Sequence, residues 1–137
     1  MVTPALLEAF RTSLDAHRVC LRFFSGGWAS LSARLAHTGA EAYDIVLASE
    51  TIYRTEALSP FLGVLRAATA TAIPAGSGVT REAPQRSLCL VAAKVLYFGV
   101  GGGVQEFVRA VEDERGTVST VWEHREGVGR RIMHIEW

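Results

Sequence analysis

The stretch Tyr43 to Tyr53, YDIVLASETIY, limits the possible folds more than any other part of this 137-residue chain. Ile45, Val46, Leu47 and Ala48 form an unbroken apolar run, the pattern of a strand covered on both faces of a parallel sheet. The polarity then changes abruptly. Ser49 and Glu50 are expected to emerge at the carboxyl end of a central strand, where open α/β sheets place their ligands, and Tyr53 follows on the same turn. A simpler reading stands beside this one, in which Ser49 and Glu50 only begin the loop and cap the next helix.

The flanking sequence alternates between helical and strand patterns. Thr3 and Pro4 are a helix-start signal, and Leu7, Phe10 and Leu14 then share one face of an amphipathic helix. Val19 to Phe24 is β-rich and runs into Ser25, Gly26 and Gly27, which predicts a strand entering a turn. Trp28, Leu31 and Leu35 return to helical spacing, ending near Gly39. Beyond the central strand, Ser59 and Pro60 mark a helix start, and Leu58, Phe61, Leu62 and Leu65 form the stripe that docks it on the sheet. From about Thr71 to Gln85 the chain is rich in small and polar residues without periodicity, which predicts an inserted loop. Leu88 to Ala93 is a second apolar strand, followed by the loop Tyr97 to Gly103 and a helix with Val104, Phe107, Val108 and Val111 on one face. Val118 to Trp122 and Ile132 to Trp137 are separated by a charged, glycine-containing turn and predict a hairpin. This order predicts one α/β domain over residues 1–137, its sheet parallel until the closing antiparallel hairpin.

Composition excludes several functions. Fourteen basic and fourteen acidic residues balance, which argues against a nucleic-acid binder held by a broad basic surface. No apolar run reaches membrane-spanning length and no signal-peptide pattern opens the chain, so an intracellular setting is expected. Cys20 and Cys89 lie in strand-like apolar stretches and are expected to be buried thiols, with a disulfide disfavoured in the cytosol. The four histidines show neither metal-ligand spacing nor a paired cysteine motif, and no metal site is expected. The Gly99 to Gly103 run sits where a phosphate loop could sit, but neither Gly-Lys-Ser/Thr nor GxGxxG spacing is present.

Three motifs taken together carry a resemblance. Arg22 to Gly26 followed by Trp28 (RFFSG, then W), Ser49 to Tyr53 (SETIY), and Ala93, Lys94 and Tyr97 to Gly103 (YFGVGGG) occur in the order found in the protein-histidine N-methyltransferase family. These are seven-strand, Rossmann-like class I enzymes that use S-adenosylmethionine to methylate a histidine of a large-subunit ribosomal protein. The resemblance implies the same fold, cofactor and substrate here, in the cytoplasm and nucleus. It implies cofactor contacts from Ser25, Gly26, Trp28 and Ser49, and a substrate opening lined by Tyr97, Phe98, Gly99 and Gly101. Glu50 and Tyr53 are the candidates for fixing the tautomer of the acceptor imidazole. The sequence leaves open which of them faces it. Trp28 equally suits a buried anchor for its helix, Tyr97 or Phe98 an ordinary core aromatic, and Lys94 a solvated strand end without catalytic role. One departure stands out: the family carries an acidic residue where this chain has Gly27.

Only five strands can be counted, and Met1 to Pro4 resembles the family's segment just past the ribose-binding acid. The chain is therefore expected to be the C-terminal portion of the catalytic domain, with the first two strands of the fold and the cofactor's glycine loop missing. It is expected to bind cofactor weakly, to be inactive alone and to self-associate through unpaired strand edges. Two rival readings are a noncatalytic interaction module that keeps only the substrate-facing half, and a protein-lysine methyltransferase, which usually has an aspartate-containing motif in place of SETIY.

Overall fold

The computed structural model describes residues 2–37, 43–69, 87–95 and 101–137. Helix α1 (Pro4–Ala16) starts as its sequence dictates: the Thr3 hydroxyl accepts the Leu6 N–H at 3.3 Å, and Pro4 occupies a position that needs no donor. Helix α2 (Trp28–His37) precedes strand β1 (Ile45–Ser49); a 3-10 turn (Thr55–Ala57) leads into α3 (Leu58–Thr69). Strand β2 (Leu88–Lys94), helix α4 (Val104–Asp113) and the strands β3 (Thr117–His124) and β4 (Arg130–Glu136) complete the order. The sheet runs β1-β2-β4-β3, with β1 and β2 parallel and the other two pairings antiparallel. The α/β sheet with its closing hairpin is thus as expected, and it is a partial Rossmann-like methyltransferase fold.

Alternation places the core. Cys89, Val91 and Ala93 of β2 and Met133 and Ile135 of β4 point to one face, because successive side chains of a strand alternate sides. Against them lie Phe61, Leu62 and Leu65 of α3 and Val104, Phe107 and Val111 of α4. Phe61 bridges the layers, its ring 6.4 Å from Phe107 and 5.3 Å from Trp28. At the foot of α4, a Cβ on Gly116 would meet Val111 at 2.6 Å and Trp137 at 2.8 Å, so only glycine fits. The Arg66 guanidinium covers the Trp137 ring at 4.4 Å and pairs with Glu114, tying α3 to the end of α4.

Four expectations need correction. Val19 to Phe24 forms no strand, and Phe23 is 85% exposed. Among the described residues no strand pairs with the outer edge of β1, and β-propensity without a ladder partner does not hold a strand. Cys20 lies in that stretch and is exposed, whereas Cys89 is buried as expected. Helix α1 forms but buries no residue, leaving Leu7 and Phe10 exposed. Strand β1 is covered on one face only: Val46 and Ala48 pack on the core, while Ile45 and Leu47 are 59% and 71% exposed. The helix end near Gly39, the loop 71–85 and residues 97–100 lie outside the described residues.

Candidate active site

The carboxyl ends of β1 and β2 lie side by side. Ser49, exposed, is the last residue of β1 and is in register with Ala92. Glu50 then breaks the strand: its backbone N–H donates to the Ala92 carbonyl at 3.0 Å while its φ of 56° is left-handed. For a residue with a side chain this conformation costs roughly 1–2 kcal/mol. Such outliers cluster at active sites and ligand clamps, which makes Glu50 a candidate site residue. The Glu50 carboxylate lies 3.7 Å from Lys94 Nζ at the end of β2, both side chains about two-fifths exposed. The pair therefore contributes direction more than stability, about 0–1 kcal/mol at such exposure.

The turn that follows is anchored from below. Ile52 is fully buried in the core, and the exposed Tyr53 sits immediately after it with the Arg54 guanidinium 6.0 Å from its ring. Thr51 Oγ1 is buried without a hydrogen-bond partner. The glycine loop ahead of α4 presses on this turn: a Cβ on Gly102 would lie 2.8 Å from the Tyr53 carbonyl carbon and oxygen and 3.0 Å from the Ile52 oxygen. Gly101 is exposed, with φ of +66° and open space around it. The structure thus brings Ser49, Glu50, Tyr53, Lys94 and the end of the glycine loop to one edge of the sheet. Tyr97, Phe98 and Gly99 fall outside the described residues.

Ser25, Gly26 and Trp28 are placed differently. Ser25 and Gly26 are exposed, and nothing lies within 4 Å of a Cβ on Gly26. The Trp28 indole is half-buried against Phe61, tilted by 57°, and packs on the core clusters that α3 builds. Its ring therefore serves as the anchor of α2. Among the described residues these three do not build an enclosed cradle for a nucleoside.

A second cluster was not legible in the sequence. Glu123 accepts from Arg131 Nη2 at 2.6 Å and from Arg125 Nε at 2.9 Å, and these two hydrogen bonds hold its carboxyl below the usual carboxylate range. Trp122 and His124 stack nearly parallel, 6.0 Å apart. The Val95 N–H donates to the Gly129 carbonyl at 2.8 Å, which brings the hairpin turn up against the end of β2 and forms a shallow groove of about 370 Å³. Residues 123–131 look like a charged turn until the register of β3 and β4 is known. Glu123 and Arg131 are direct cross-strand partners. Among the described residues no three His, Cys, Asp or Glu side chains converge as metal ligands.

No family model matches the chain. Individual relatives do. Histidine protein methyltransferase 1 of Schizosaccharomyces pombe is 31% identical over 140 residues, covering 98% of this chain and 37% of the relative. The homolog from Rattus norvegicus is 35% identical over 112 residues, 80% of this chain and 27% of the relative. Histidine protein methyltransferase 1 of Saccharomyces cerevisiae is 31% identical over 118 residues, 83% of this chain and 28% of the relative. The chain thus spans between about a quarter and two-fifths of the length of these relatives. Over the part it shares with them, the chain belongs to the protein-histidine methyltransferase family.

Proposed function

We propose that this chain is the acceptor-facing, carboxyl-terminal part of an S-adenosylmethionine-dependent methyltransferase that modifies a histidine of a large-subunit ribosomal protein, working in the cytoplasm and nucleus. The observation that carries the reading is the strained Glu50 at the carboxyl end of β1, three residues ahead of the exposed Tyr53 and with its carboxylate directed to Lys94. An imidazole accepts a methyl group only through an unprotonated ring nitrogen. Its other nitrogen must then carry the proton, and Glu50 or Tyr53 can accept that N–H and so fix tautomer and ring direction. As the ring gains positive charge, a carboxylate held in place is favourable without reorganising. Glu50 can also take the ring proton once the new N–C bond is made. The cofactor supplies an electrophilic methyl group on a sulfonium; the residues described here do not enclose it, so the contribution of this chain is to hold and orient the acceptor.

In the full-length protein, Glu50→Gln should lower kcat with little change in cofactor affinity, since an interaction made mainly in the transition state affects kcat and kcat/KM together. An unchanged methylation rate would remove Glu50 from the site. The packed Trp28 and the exposed Ser25 and Gly26 favour a second reading, a noncatalytic module that uses the same edge to hold a protein. The 137-residue chain alone should then bind S-adenosylmethionine weakly and self-associate along the outer edge of β1. Micromolar binding by a monodisperse monomer in a calorimetric titration would count against both expectations.

A further inference from the structure

We infer that Gly102 is a positioning residue for the histidine acceptor, acting through the backbone of Ile52 and Tyr53; the inference rests on the reading of Glu50 and Tyr53 as the groups that orient the imidazole. The glycines ahead of α4 are not equivalent. Gly101 has a left-handed φ and open space, while Gly103 is extended and would meet the flexible end of Glu106 at 3.4 Å and the Val95 carbonyl oxygen at 3.8 Å, an ordinary contact. Of these three described glycines, Gly102 is the one held by space. A Cβ there would lie 2.8 Å from the Tyr53 carbonyl, against roughly 3.5–4.0 Å for an ordinary carbon contact. Something would have to retreat by about 0.7 Å or more.

The direction of that retreat follows from what anchors each side. Gly102 leads directly into α4, whose first turn is fixed by the Phe107 N–H donating to the Gly103 carbonyl at 3.0 Å and by the buried Val104. Ile52 is fully buried and cannot yield without disturbing the core. Tyr53 is 39% exposed, so it has less packing to hold it than Ile52. A side chain at position 102 therefore displaces the Tyr53 peptide and, through the short turn, the direction of Glu50. The fold is kept and the groups at the mouth of the site shift by a fraction of an ångström.

The test is Gly102→Ala in the full-length protein, with kcat expressed per cofactor-binding site so that a poorly folding preparation is scored on its folded fraction. The expected result is a loss of kcat of roughly 10- to 100-fold, the scale of a misplacement near one ångström, with cofactor affinity unchanged and Gly103→Ala close to wild type. A merely structural glycine would lower the melting temperature and leave kcat per site intact. Double variants locate the effect: if Gly102 acts through the turn, its loss combines less than additively with Glu50→Gln or Tyr53→Phe, as coupled neighbours do. Additivity with both overturns the inference. Full turnover in Gly102→Ala, with turnover lost in Glu50→Gln or Tyr53→Phe, overturns this inference alone. Full turnover in all three overturns the reading beneath it as well.

Discussion

Phe10 on α1 and Phe107 on α4 hold equivalent places, each on the apolar stripe of an amphipathic helix, yet Phe107 is fully buried and Phe10 is half exposed. The same contrast divides the strand patterns. Leu88 to Lys94 finds β1 on one side and β4 on the other, while Val19 to Phe24 finds no strand among the described residues and is exposed. Hydrophobic periodicity thus specifies what an element can become, and only a neighbouring surface decides whether it does. Among the described residues, the segment around α1 has the pattern without the neighbour.

Substitutions can break this comparison. Phe107→Ala should cost about 3–5 kcal/mol, the usual loss for a large aromatic in a closed core, measured by urea unfolding. A cost below about 1 kcal/mol would mean that the α4 layer is no better packed than α1.

The two cysteines give a pH-dependent version of the contrast. Burial pushes the Cys89 thiol up from 9.0 to about 11. Its folded pKa is raised, so its contribution to stability is whole below the unfolded value and is lost as pH rises from about 9 to 11. Stability should fall across that window, and Cys89→Ser or Cys89→Ala should flatten the fall. Exposed Cys20 should react with a thiol reagent in the native state, and Cys89 only on unfolding. Equal rates would erase the distinction between the two regions.

Glu50 sharpens the comparison at the boundary between fold and site. Glu50→Gly releases about 1 kcal/mol or more of left-handed strain, which offsets the roughly 0.5–1 kcal/mol that glycine loses in conformational freedom on folding. The melting temperature should hold or rise while methylation falls. A lower melting temperature with activity intact would make Glu50 a structural residue. The smallest effect is expected at Phe23, where Phe23→Ser should stay within about 0.5 kcal/mol, as surface changes do.

The parts legible in the sequence were those whose signal is local and whose partner is present. Thr3 and Pro4 start α1, the Val104, Phe107 and Val111 stripe builds α4, and the β3–β4 hairpin follows from its turn and flanking strands. The end of β1 was legible because an apolar run changes polarity at Ser49 and Glu50, where the strand stops. The exposure of Ile45 and Leu47 was not, because an apolar run looks the same whether one face is covered or two. The clamp of Gly102 on Tyr53 is a close approach of residues distant in sequence, and glycine spacing alone gives no sign of it. Neither the pairing of Glu123 with Arg131 nor that of Glu50 with Lys94 could be read before the strand register was known.

Strand β4 lies between β2 and β3, although it is the last of the four to be made. Its Met133 and Ile135 fill the centre of the core opposite α3 and α4. During synthesis, therefore, β2 exposes one edge and β3 has no partner among the described strands until β4 has been made. The sheet cannot close progressively from the amino end, and the pairing that joins β2 to the hairpin forms in one late step. Contacts of such wide sequence separation make folding slow, so the core stays open until β4 is in place. A variant that weakens β4 would be felt first as a loss of soluble yield in the cell, before any change in the stability of molecules that had already folded.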